Sequence, residues 1–116
     1  MKAEEVRTEK DVREFLKDWS AFERDVYLVT YRIPKGKVST YSGVAKAIGR
    51  PRAQRAVANA LHNNPLYPVV PCWRVVKSDG SFGGEAKAAA GRRQHVVEDG
   101  VRVKDGKVVM TKEILF

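Results

Sequence analysis

The chain has 116 residues and a mass of 13.0 kDa, room for one compact domain. Its 43% hydrophobic and 31% charged residues exclude global disorder, and no apolar run nears the roughly 20 residues that span a bilayer. The net charge of +8 is unevenly spread: residues 26–78 hold nine bases and no acid, whereas residues 1–25 hold six bases and eight acids. A block of one sign supplies a positive field suited to a polyanion, where solubility alone would intersperse both signs.

Thr8 and Asp11 have capping-box spacing, and an apolar stripe follows at Val12, Phe15, Leu16 and Trp19. Ser20 and Glu23 repeat the spacing ahead of Phe22, Val26 and Val29. The pattern predicts two helices, or one bent near Ser20, ended by Ile33-Pro34-Lys35-Gly36. Ser39 or Thr40 caps a third helix, about Tyr41 to Ile48, with Gly49 just beyond its end. Pro51 suits a first helical turn, so a fourth helix is expected over Arg52 to His62. Helix, short glycine turn and helix form a helix-turn-helix pattern. The fourth helix is rich in small residues, Ala53, Ala56, Ala58 and Ala60. Alanine favours helix, and it also allows close approach of another surface.

Asn63-Asn64-Pro65 stops that helix. Val69-Val70-Pro71 and Trp73 to Lys77 are expected as short extended stretches, with a turn at Ser78–Ser81 and a loop at Gly83-Gly84. Lys87 to Val97 reads as a last helix. Asp105-Gly106 between Val101–Lys104 and Lys107–Met110 is a two-residue hairpin signal. There are no internal repeats, low-complexity tracts or linkers.

One cysteine, Cys72, allows no internal disulfide. With two histidines, His62 and His95, it falls short of a structural zinc set, so no metal and no cofactor are expected. The first five residues carry acids and no apolar segment, unlike a signal peptide. The expected location is cytoplasmic, or nuclear in a eukaryotic cell. Cys72 has two readings. It is either a small buried hydrophobe or a nucleophile, positioned by the rigid approach through Pro65, Pro68 and Pro71 and favoured as thiolate by Arg74 and Lys77.

Ile33-Pro34-x-Gly36, Thr40-Tyr41, Ala45-x-x-Ile48-Gly49-x-Pro51-x-Ala53-x-Arg55-Ala56-Val57, Asn64-Pro65 and Pro71-Cys72-Trp73-Arg74-Val75 follow one another in a recognisable order. Gly80, Gly83-Gly84, Asp99-Gly100 and Asp105-Gly106-Lys107-Val108 extend it. The chain resembles the DNA-binding, active-site domain of O6-alkylguanine-DNA alkyltransferases from about Phe22 onward. The resemblance implies a mainly α fold with small β elements, a helix-turn-helix, winged-helix-like DNA-binding domain. It implies one domain over 1–116, with residues 1–20 as a short helical leader in place of the family's separate N-terminal domain. Its implied partner is double-stranded DNA containing O6-alkylguanine, bound by a monomer without membrane, and other repair proteins where it acts as a sensor.

By the same resemblance, Cys72 accepts the alkyl group, Asn64 braces the active-site turn and Tyr41 helps rotate the target nucleotide. Arg55 fills the place of the flipped base, which must leave the stack to be reached. Ala53 and Ala56 dock in the minor groove, and Thr40, Ser78 and Arg74 join the DNA-facing set. Tyr41, Trp73, Val75 and Glu85 line the lesion pocket. Trp73 stands where the family has the histidine that relays the thiol proton, and indole nitrogen donates without accepting. Asp99 stands for the glutamate behind that histidine, and Glu85 near an aromatic position. Two outcomes follow: transfer of the alkyl group to Cys72, or non-catalytic lesion sensing of the alkyltransferase-like kind. Those relatives lose the cysteine and keep the histidine, the reverse of this chain. A third reading, a regulator reading the major groove, needs base-reading side chains that an alanine-rich helix lacks.

Overall fold

A computed structural model describes all 116 residues. Two capped helices open the chain. In α1 (Glu9–Phe15), Thr8 Oγ1 accepts from the Asp11 amide while Asp11 accepts from the Thr8 amide. In α2 (Ala21–Tyr31), Ser20 Oγ accepts from the Glu23 amide. The boundary is a real break, because Ser20 is extended and its oxygen satisfies an amide that has no helical partner. Trp19 fills the corner, packed 6.3 Å from Phe15 and edge-on to Tyr27 at 6.1 Å. Val6, Val12 and Leu16 are fully enclosed, so the leader is part of the core rather than an appendage.

A two-residue strand β1 (Ser39–Thr40) leads directly into α3 (Tyr41–Ala47), whose Thr40 cap accepts from the Gly43 amide. Gly49, at φ +76°, makes the turn after α3 that a side chain would strain. The fourth helix, α4, runs Gln54–His62, two residues shorter than expected. Pro51 and Arg52 form a corner closed by the Ala53 amide on the Arg50 carbonyl, so Ala53 is the N-cap and not an interior residue. Val57 and Leu61 bury the inner face of α4, and the Tyr27 hydroxyl donates to the Ala60 carbonyl to tie α2 to α4. Burial pushes the Tyr27 phenol up to about 12.

Val69–Pro71 is not extended, as the sequence pattern suggested; it lies in a turn with the Val70 amide on the Leu66 carbonyl. A 3-10 turn at Cys72–Arg74 follows, and only Val75–Val76 forms the strand β2. The partner explains the length: β2 pairs in parallel with β1, Ser39 facing Val75 and Thr40 facing Val76, and β1 offers two residues. Helix α5 (Ala86–Glu98) then returns along the Cys72 turn. The hairpin of β3 (Val103–Lys104) and β4 (Lys107–Val108) turns through Asp105 and Gly106, both at positive φ. The C-terminal segment closes the core, with Val38 bonded to Ile114 and Phe116 across the backbone.

Candidate active site and nucleic-acid interface

Asn64 shapes the turn that carries Cys72. Its Nδ2 donates to the Val70 carbonyl at 2.7 Å and its Oδ1 accepts from the Leu66 amide at 2.9 Å. One side chain thus closes the loop between α4 and the cysteine from both sides. Cys72 is 7% exposed and lies on the wall of a cleft of about 270 Å³. His62 and Asn64 enter the cleft from the α4 side, Tyr67 from the loop, Trp73 from beside the cysteine, and Ala88, Arg92 and His95 from α5. No carboxylate lines it.

Trp73 occupies its position as a fixed wall. Its Nε1 donates to Asp99 Oδ2 at 3.0 Å, His95 stacks on the indole at 4.1 Å and 18°, and Tyr67 meets it edge-on at 5.9 Å. The Tyr67 hydroxyl bonds to His95 Nε2, which ties the three rings together. Asp99 takes a second load: Arg74 Nε donates to Oδ2 at 2.7 Å and Arg74 Nη2 to Oδ1 at 3.3 Å. Burial acts to raise the Asp99 carboxyl. The hydrogen bonds from Arg74 and Trp73, with the charges of Arg74 and Lys35, outweigh it and hold the group below its ordinary value. Asp99 therefore stays an anion that orients the wall, and Trp73 has no lone pair to offer the thiol.

Arg74 is corrected by this geometry. Expected at a DNA surface and as an aid to the thiolate, it is 15% exposed and held by Asp99 and by the Ile33 carbonyl. Two lesion-pocket expectations also move. Val75 is enclosed in β2, and Glu85 is exposed at the N-cap of α5; neither lines the cleft. Tyr41 is buried behind the cleft rather than on its surface, its hydroxyl 3.2 Å from His62 Nε2 with the rings edge-on. Thr40 spends its side chain on capping α3.

The outer face of α4 is open. Arg55 and Ala56 are exposed, Ala53 half-buried at the helix start, and Arg50 and Arg52 flank them from the preceding turn. Ser78 is exposed in its own turn. Of the nine bases in the acid-free block, Arg32 pairs with Glu9 at 2.7 Å and Arg74 with Asp99. Lys46, Arg50, Arg52, Arg55 and Lys77 have no carboxylate partner and remain exposed. Arg50 also lies over the Phe22 ring, 5.6 Å from its centroid, which fixes where that charge stands.

Four cleft residues escaped the sequence reading as site residues: His62, Tyr67, Arg92 and His95. The α5 pair had a signal. Ala88, Arg92 and His95 stand at helical spacing on one face. Nothing in the chain order brings His62 to Tyr41, or Tyr67 to Trp73.

A helix-turn-helix domain whose α4 carries an open outer face flanked by Arg50 and Arg52, with a single cysteine on the wall of a cleft beside it, is the frame this chain builds. The chain belongs to the 6-O-methylguanine DNA methyltransferase family, whose DNA binding domain matches residues 21–101. It is 43% identical over 65 residues to a methylated-DNA–protein-cysteine methyltransferase of Methanosarcina barkeri, covering 56% of this chain and 41% of that protein. It is 35% identical over 88 residues to a DNA base-flipping protein of Vibrio parahaemolyticus, covering 75% of this chain and 88% of that protein. The chain spans less than half the length of the methyltransferase it matches. Among solved structures, S. pombe Atl1 in complex with damaged DNA containing O6-carboxymethylguanine superimposes with a TM-score of 0.71 at 29% identity. That match covers 82% of this chain and 94% of Atl1. Mycobacterium tuberculosis OGT in complex with DNA gives 0.64 at 31% identity, covering 69% of this chain and 50% of OGT. The helix-turn-helix expectation and the family resemblance are both borne out.

Proposed function

We propose that this protein binds duplex DNA through the outer face of α4, extrudes an O6-alkylated guanine into the Cys72 cleft and transfers the alkyl group irreversibly to Cys72. The observation that carries the reading is the cysteine itself, held by the Asn64 brace on the wall of a cleft that opens beside α4. A base inside a duplex is out of reach, so extrusion must come first. Arg55, exposed on α4 with no carboxylate partner, is the side chain that takes the vacated place in the stack. Ala53 and Ala56 let the helix approach the minor groove closely. Such a protein works as a monomer wherever the cell keeps its DNA.

Trp73 favours a second reading. Bonded as a donor to Asp99, it fills the position from which the family's histidine relays the thiol proton. A sensor that holds the lesion and recruits other repair proteins needs the cleft but not the proton transfer. Intact mass after incubation with an O6-methylguanine duplex separates the two. Transfer adds one methyl group per chain in the wild type and none in Cys72→Ser. Tight lesion binding with no added mass at any pH decides for the sensor.

A further inference from the structure

We propose that His62 is the proton acceptor for the Cys72 thiol, with Tyr41 as its positioning partner; the inference rests on the transfer reading above. Transfer leaves one task without a residue. The thiol must lose its proton, and Trp73 Nε1 is a donor already engaged with Asp99. Two imidazoles share the cleft with the sulfur, those of His62 and His95. His95 is part of the fixed wall, lying flat on Trp73 at 4.1 Å. His62 comes off the last turn of α4, and its only side-chain partner is Tyr41 Oη, 3.2 Å from Nε2.

Nucleophile, base and orienting group is the general pattern of an activated cysteine. Here the third member is a phenol. A base here requires the tautomer in which Nε2–H donates to Tyr41 Oη and the lone pair rests on Nδ1. Burial raises Tyr41, so the phenol keeps its proton at neutral pH and adds no competing anion. The loop at Gly83 presses the pair together. A Cβ at residue 83 would overlap Tyr41 Oη and stand 2.8 Å from His62 Nε2.

The groups around His62 are Arg92 from α5, Lys77 from the turn after β2 and Tyr41 from α3, and Cys72 and His95 line the same cleft. Loss of hydration, then Arg92 and Lys77, hold the imidazole below its ordinary value. It is therefore neutral and able to accept at neutral pH. In the transfer step the Cys72 S–H bond breaks and its proton passes to His62. A sulfur electron pair forms the bond to the alkyl carbon, and the carbon–O6 bond breaks. The guanine keeps that electron pair and takes the proton back from His62, leaving a thioether and neutral guanine.

The test follows Cys72 two ways across pH: methyl uptake from an O6-methylguanine duplex by intact mass, and trapping by iodoacetamide without DNA. In His62→Gln both rates at neutral pH fall by about 10²-fold, the usual scale of base assistance. They converge on the wild type at high pH, where hydroxide removes the proton. Added imidazole restores part of the loss. Tyr41→Phe keeps the ring, removes the hydroxyl and gives a smaller loss with the same convergence. A His62→Gln profile equal to the wild type, or lower by one constant factor at every pH, overturns the proposal. So does a loss that follows His95→Gln instead. Trapping that depends on His62 in a wild type that never takes a methyl group overturns the transfer reading and upholds the assignment of His62.

Discussion

Replacing Asp99 with asparagine removes the anion on which the cleft wall and Arg74 both rest. The carboxylate accepts from Trp73 Nε1 at 3.0 Å and from Arg74 at 2.7 and 3.3 Å. Asparagine keeps the shape but has one acceptor oxygen and a donor where the second stood. The Arg74 guanidinium, 15% exposed, then loses its counter-charge. Removing one partner of a fully buried pair costs about 3–5 kcal/mol, and this pair keeps some access to water, so about 3 kcal/mol is expected. At roughly 4 °C per kcal/mol for a domain of this size, the melting midpoint falls by about 12 °C. The pH dependence has a definite sign. Asp99 lies below its ordinary value in the folded protein, so its contribution is complete above the unfolded carboxyl value of about 3.9. It is lost as pH falls through the lower folded value. Urea unfolding of wild type and Asp99→Asn at neutral and acid pH tests this, with Arg74→Met closing a double-mutant cycle. A variant within about 0.5 kcal/mol of the wild type at neutral pH, or an unchanged acid limb, refutes the account.

Arg55→Ala is expected to reduce 2-aminopurine fluorescence at the target site more than it reduces overall DNA association. Equal losses in the two assays make Arg55 an ordinary phosphate contact. Duplex affinity should fall with salt, because each phosphate neutralised releases counterions at a log–log slope of about 0.9. Arg52→Ala, which removes one exposed cation without a carboxylate partner, lowers that slope by about 1. A slope near zero in the wild type removes the nucleic-acid reading altogether.

Local chemistry was legible in the chain because its causes are local. The caps at Thr8, Ser20 and Thr40 each need an oxygen and an amide three residues on, and the type of hairpin at Asp105-Gly106 needs two residues that tolerate positive φ. The acid-free block, the helix-turn-helix spacing and the Pro71-Cys72-Trp73-Arg74 run were likewise visible as residues in order. What the tertiary structure decided was how distant groups were shared out. Arg74 looked like a free cation beside a thiol until α5 delivered Asp99 to it from 25 residues away. The β2 strand looked longer until its partner proved to have two residues. His62 and Tyr41 lie 21 positions apart and meet only because α4 packs across α3 with the Gly83 loop closing over them. A cap is settled within one turn of chain, whereas a charge pair, a strand length or a proton acceptor depends on which helix arrives from elsewhere, and no local spacing encodes that.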